Sequence, residues 1–201
     1  MGDQAKLDKI LTAIARNRLA GFRKLVTSEN ANWQDEDGFS LAMNVVLDED
    51  AGPDILRHLI ACGADIKFAD GRKYTALHFA ARDQRLEMTE LLLEAGAEVD
   101  AADSDGMTPL AHCSLGLQRN LTLVALLLRH GADPNKKSKR DGSPLQIARL
   151  GEDHELIALF RAARPAPKRA GVKSKKKAPR RKSAFKRQRT KKAAQSAPKK
   201  R

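Results

Sequence analysis

"DGMTPLAHCSLGLQRNLTLVALLLRHGADPN", residues 105–135, opens on an Asp-Gly turn, passes through a short helix-forming segment and a leucine run, and closes on Gly-Ala-Asp. The same order occurs upstream in "DGRKYTALHFAARDQRLEMTELLLEAGAEVD", residues 70–100. Ser40, Thr75, Thr108 and Ser143 are equivalent positions, spaced 35, 33 and 35 residues apart. Gly63-Ala64-Asp65, Gly96-Ala97-Glu98 and Gly131-Ala132-Asp133 repeat independently, at 33 and 35. Two markers with matching periods describe a chain built from stacked units rather than around one closed core.

Each unit can be read physically. The hydroxyl of Thr75 or Thr108 is placed to accept a backbone N–H of the first helical turn, and Pro109 and Pro144 fall where a missing N–H costs nothing. Helices are therefore expected over "ALHFAARD" and "LEMTELLLEA", the first rich in small residues and the second carrying Leu86, Leu91, Leu92 and Leu93. Gly63, Gly96 and Gly131 suit the left-handed residue that ends a helix, and Asp70-Gly71 and Asp105-Gly106 mark polar hairpins. Burying one leucine contributes about 1.5–3 kcal/mol, and a helix pair of this size has no partner for its apolar face until a neighbour stacks on it. The ends depart from the middle as end caps should: residues 11–26 form a helix pair without an opening turn, and 143–161 a pair without a following hairpin.

"TALHFAA…LLLEAGAEVD" and "TPLAHCS…LLLRHGADPN" resemble ankyrin repeats, over about residues 5–163. The resemblance implies an all-α solenoid with short β-hairpin turns: a cap over 5–36, repeats over 37–69, 70–102 and 103–137, and a C-terminal cap over 138–163. Departures are visible. The family's histidine survives as His78 alone, with Met43, Ala111 and Gln146 at its equivalents, and Leu41 stands where proline is usual. The 35-residue spacings place two extra residues near 49–53 and near 117–120. In the family the histidine ring hydrogen-bonds between neighbouring turns, and partners are held by hairpin tips and the exposed side of the first helices. Carried onto this chain, the tips are Phe39, Tyr74 and Met107, and the outward helix positions are Leu47, Asp48, Arg82, Asp83, Leu115 and Gly116.

With 4% aromatic residues, any core must be aliphatic. The net charge of +13 conceals a split: from Arg164 onward lie 18 of the 38 Lys and Arg and none of the 25 Asp and Glu. The preceding body is acidic, at 35–37, 48–50 and Asp100, Asp103 and Asp105, apart from a basic hairpin over 136–140. The 164–201 segment, with four prolines and one aromatic, is expected to be a disordered tail. Lys173, Lys175, Lys176, Lys177, Arg180, Arg181, Lys182, Lys186, Arg187, Arg189, Lys191 and Lys192 are its candidate contacts to DNA or RNA phosphates. Residues 168–182 also read as a bipartite nuclear import signal, so a cytoplasmic protein, or a nuclear one in a eukaryote, is expected.

Catalytic chemistry finds no footing. "HCS" at 112–114 places neighbours on different sides of a helix, and no Gly-rich phosphate loop, G-x-S-x-G or H-E-x-x-H occurs. His58, His112 and His154 fall in separate units, His130 sits at a helix end, and Cys62 and Cys113 are expected to be buried thiols. No enzyme, metal or cofactor is expected, and no membrane span or signal peptide is read. The expectation is a monomeric adaptor that grips an unidentified protein through its repeats and is tethered to nucleic acid or another polyanion by its tail. The alternatives are an acidic inhibitor of a basic toxin or nuclease, and a nucleic-acid-binding protein acting through the tail.

Overall fold

The computed structural model describes residues 3–115, 120–139 and 142–163. The twelve tail Lys and Arg, Gly116 and most of the second long loop lie outside them. Within the described residues, helices follow in pairs: α1 (Asp3–Ala15) and α2 (Leu19–Leu25), α3 (Leu41–Leu47) and α4 (Pro53–Ala61), α5 (Ala76–Arg82) and α6 (Leu86–Glu94), α7 (Pro109–Ser114) and α8 (Leu121–Arg129), α9 (Pro144–Leu150) and α10 (His154–Ala162). First helices stack in the order α1, α3, α5, α7, α9 and second helices as α2, α4, α6, α8, α10, giving two layers. The hairpins carry only isolated antiparallel bridges, Gln34 to Ser40 and Ala69 to Thr75.

Local chemistry sets the helix ends. Ser40, Thr108 and Ser143 accept the N–H of Met43, Ala111 and Gln146, each at 3.3 Å, and Pro53, Pro109 and Pro144 open their helices. At the far ends Gly63, Gly96 and Gly131 take φ of 86°, 87° and 93°. The N–H groups of Gly96 and Ala97 then reach the carbonyls of Leu93 and Leu92, at 3.0 and 2.9 Å. That double bond satisfies the orphan carbonyls of the last turn and accounts for the repeated Gly-Ala.

Burial follows the stacking. Leu41, Leu56, Leu77, Leu92, Leu110 and Leu127 are wholly buried, and one continuous aliphatic cluster runs from Leu7 to Phe160. The helix-to-helix loops are pinned to neighbouring pairs by side chains: Asn17 accepts the Gly52 N–H at 3.1 Å, and Arg85 donates to the carbonyls of Asp48 and Ala51 at 2.9 and 2.8 Å. Asn32 and Asp100 accept the N–H of Asp65 and Asp133, at 2.6 and 3.0 Å, across each 33-residue step.

The hairpin turn differs from its reading at Asp70-Gly71. The left-handed residue there is Lys73, at φ 62°, equivalent to Gly38 and Gly106 at 81° and 79°. A carboxylate explains the register: Asp35, Asp70 and Asp103 each accept the N–H two and four residues on, all within 2.8–3.0 Å. The residue between those two N–H groups, three after the aspartate, is thereby turned left-handed.

Candidate functional site

The second oxygen of the hairpin aspartate ties the turn to the first helix. Asp35 accepts from Asn44 at 2.7 Å and Asp103 from His112 at 2.8 Å, in both cases nine residues on. Burial pushes the Asp103 carboxyl up, but the hydrogen bonds from His112, Met107 and Asp105 outweigh it and hold the group below the usual carboxylate range. The corresponding residue in the middle repeat is Phe79.

His78 performs the structural role expected of it. Its Nδ1 accepts the Thr75 N–H at 3.0 Å, so the proton sits on Nε2, which donates to the Met107 carbonyl of the next hairpin at 3.3 Å. Burial, followed by the neighbouring His112, lowers its pKa to about 4. Because this is below the unfolded value near 6.5, the unfolded chain binds the extra proton between those values. The stability is therefore whole above pH 6.5 and lost as pH falls toward 4, by about 2–3 kcal/mol at pH 4.5. His78→Gln should flatten that slope, since Gln146 already accepts the N–H of Ser143 at 3.0 Å in the last pair. His112, Asp103 and Tyr74 face the ring in both proteins, so urea midpoints of the two at pH 7 and 4.5 isolate the His78 contribution. Equal losses would refute it.

The three hairpin-tip residues do not behave alike. Phe39 and Tyr74 are half-buried and meet at Phe79: Phe39 edge-on at 5.8 Å between centroids, Tyr74 stacked at 5.3 Å. Burial first, then the carboxylate of Asp103, raises the Tyr74 pKa, so the phenol stays protonated at neutral pH. Met107 is buried, with its N–H on Asp103 and its carbonyl on His78, which removes it from the exposed rim where the family geometry had placed it.

Seven residues after each capping hydroxyl, the first helices present Leu47, Arg82, Leu115 and Leu150 in register. Leu47 is half-buried, Leu115 is 47% exposed and Leu150 84% exposed. Leu150 was not among the positions read from sequence, because the terminal pair lacks the hairpin that frames its siblings. Arg82 pairs with Asp83 through two contacts of 2.7 and 2.9 Å and lies 5.1 Å over the Phe79 ring. Asp48 is committed to its own loop, accepting the N–H of Asp50 and Ala51 at 3.0 and 3.1 Å.

Two other details correct the sequence reading. Cys113 is buried, but Cys62 is only half-buried, with its Sγ 3.5 Å from His58 Nε2 one turn earlier. His112, read as isolated, is paired with Asp103, because the turn folds the hairpin back over the helix. Among the described residues no group of three or more His, Cys, Asp or Glu could hold a metal, and no helix is long and apolar enough to cross a membrane.

A family profile described as "Ankyrin repeats (3 copies)" matches residues 10–99 and again 41–138. Among curated proteins, the chain is 38% identical over 79 residues to palmitoyltransferase ZDHHC13 of Mus musculus, covering 39% of this chain and 12% of that protein. It is 36% identical over 102 residues to a putative ankyrin repeat-containing protein of Treponema pallidum, covering 50% and 34%. With NF-kappa-B inhibitor zeta of Homo sapiens it shares 33% over 124 residues, covering 58% and 17%. The chain thus spans a third or less of these relatives, and what they share with it is the repeat region. Ankyrin repeats are a protein–protein interaction module. With paired helices, Gly-Ala helix ends, aspartate-held hairpins and a family match over most of its described length, the chain belongs to the ankyrin-repeat family.

Proposed function

We propose that the protein is a non-enzymatic adaptor, holding a protein partner against the face shared by its first helices and hairpins. The observation that carries this reading is the in-register line Leu47, Arg82, Leu115 and Leu150, which leaves two leucines exposed beside the aromatic hairpin groove. Exposed apolar side chains aligned along one layer suit the desolvated centre of an interface, with the surrounding charged groups as its rim. Capture of partners by the full chain after nuclease treatment tests it. A stoichiometric protein partner retained by the parent chain and lost on Leu115→Asp supports the reading; a partner that ignores the substitution contradicts it.

The segment from Arg164 supplies a tether to DNA, RNA or another polyanion in this reading. Its support is compositional: 18 basic residues and no acidic ones. If about ten charges engage phosphates, the log–log salt dependence of duplex DNA binding has a slope of about −9, and of single strands about −7. Fluorescence anisotropy of a labelled duplex across a salt series measures it, and a slope near zero would remove the tether.

A further inference from the structure

The groove between the hairpins of the first two repeats departs from the pattern of its neighbours at one residue. Asp35 and Asp103 each commit their second carboxylate oxygen to a donor nine residues on, Asn44 or His112. In the repeat between them that residue is Phe79, which has no polar hydrogen to give. Asp70 keeps its first oxygen on the N–H groups of Arg72 and Tyr74, at 2.9 and 2.8 Å. Among the described residues, no side-chain donor is placed on its second oxygen, and Asp70 is half-buried in a groove it lines with Asp37, Phe39, Tyr74, Phe79 and Arg82.

Whatever completes this site must donate a hydrogen bond where Asn44 and His112 do, lie among aromatic rings, and carry charge complementary to Asp70 and Asp37. A guanidinium meets all three demands. It offers five donors in one plane, its faces stack on aromatic rings, and it pairs with carboxylates in a fixed geometry. An ammonium can answer the charge but not the planar stack. Arg82 illustrates the affinity of this floor for the group, since its guanidinium lies over Phe79. Its charge is taken up by Asp83 and so does not cancel that of Asp70.

We infer that this groove receives an arginine side chain of the protein partner, hydrogen-bonded to Asp70 and stacked among Phe39, Tyr74 and Phe79. The inference deepens the adaptor reading and rests on it. The partner segment that docks here is accordingly extended and arginine-bearing, and the leucine line beyond Arg82 is left to its apolar residues.

The test is an NMR titration of the full chain with N-acetyl-arginine methylamide, beside its lysine and citrulline counterparts. The expected result is saturable shifts at Asp70, Tyr74 and Phe79, at least tenfold weaker for the lysine compound and absent for citrulline. Asp70→Asn keeps an oxygen for the hairpin N–H groups while presenting a donor to the groove. Phe79→His copies the Asp103–His112 arrangement and occupies the second oxygen from within. Each should weaken the arginine compound at least tenfold, and because the two variants alter the site differently, loss in both is not explained by a damaged hairpin. No saturable shift, equal response to lysine, or affinity unchanged in both variants would overturn the inference. So would movement of the arginine signals of residues 164–201 in the variants without any probe, which would make the chain's own tail the occupant. If the probe fails while Leu115→Asp still releases the partner, the anchor alone is wrong; if that substitution is also without effect, the adaptor reading falls with it.

Discussion

Leu110→Ala is expected to destabilise the repeat array by about 2–5 kcal/mol, the range for truncating a wholly buried leucine whose site collapses only in part. Leu110 has no exposed surface and lies in α7, which packs on α5 before it and α9 after it. The cavity therefore weakens two interfaces between pairs rather than one. In a one-dimensional array each pair is held by its neighbours, so the loss should extend to α9 and α10 before it reaches α3. Urea unfolding followed by circular dichroism gives the total, and hydrogen exchange gives its distribution. A change below about 1 kcal/mol, or one spread evenly along the chain, would contradict the stacked-pair account.

The second large effect is on binding. The double variant Leu115→Asp, Leu150→Asp should weaken the partner at least 30-fold while leaving the melting temperature within a few degrees. Two buried interface leucines replaced by carboxylates lose apolar burial and add two charges to be desolvated. The fold has little at stake at Leu150, which is 84% exposed, whereas Leu115 retains about half its surface in contact. Surface substitutions of this kind alter stability by about 0.5 kcal/mol or less. Titration calorimetry against the purified partner separates the two readouts, and an unchanged affinity would dismiss the leucine line as an interface.

Much of the fold is legible in the sequence because it is enforced locally. A hydroxyl before a helix, proline at its first position and Gly-Ala after its partner each fix a backbone conformation within a few residues, and each is found where the pattern places it. His78 is equally legible, since its cap to Thr75 is local. Less legible is what depends on how a turn folds back. Asp103 and His112 are nine residues apart, a spacing that matches neither helix nor strand, so their pairing and the burial of Met107 between them escape a periodic reading. The same blindness hides Phe79, which reads as one more apolar helix residue until Asn44 and His112 are seen holding their aspartates. Lys73 is a further case: the aspartate, not a glycine, dictates its left-handed backbone.

The central claim, that the protein works through the face of its first helices, is tested most directly by photo-crosslinking. A benzophenone amino acid is placed either at Leu115, on the first-helix layer, or at Glu90, which is exposed on α6 in the second layer. In nuclease-treated extract the account predicts a specific protein adduct from position 115 and none from position 90. An adduct from position 90 alone would place the partner on the opposite layer and contradict it.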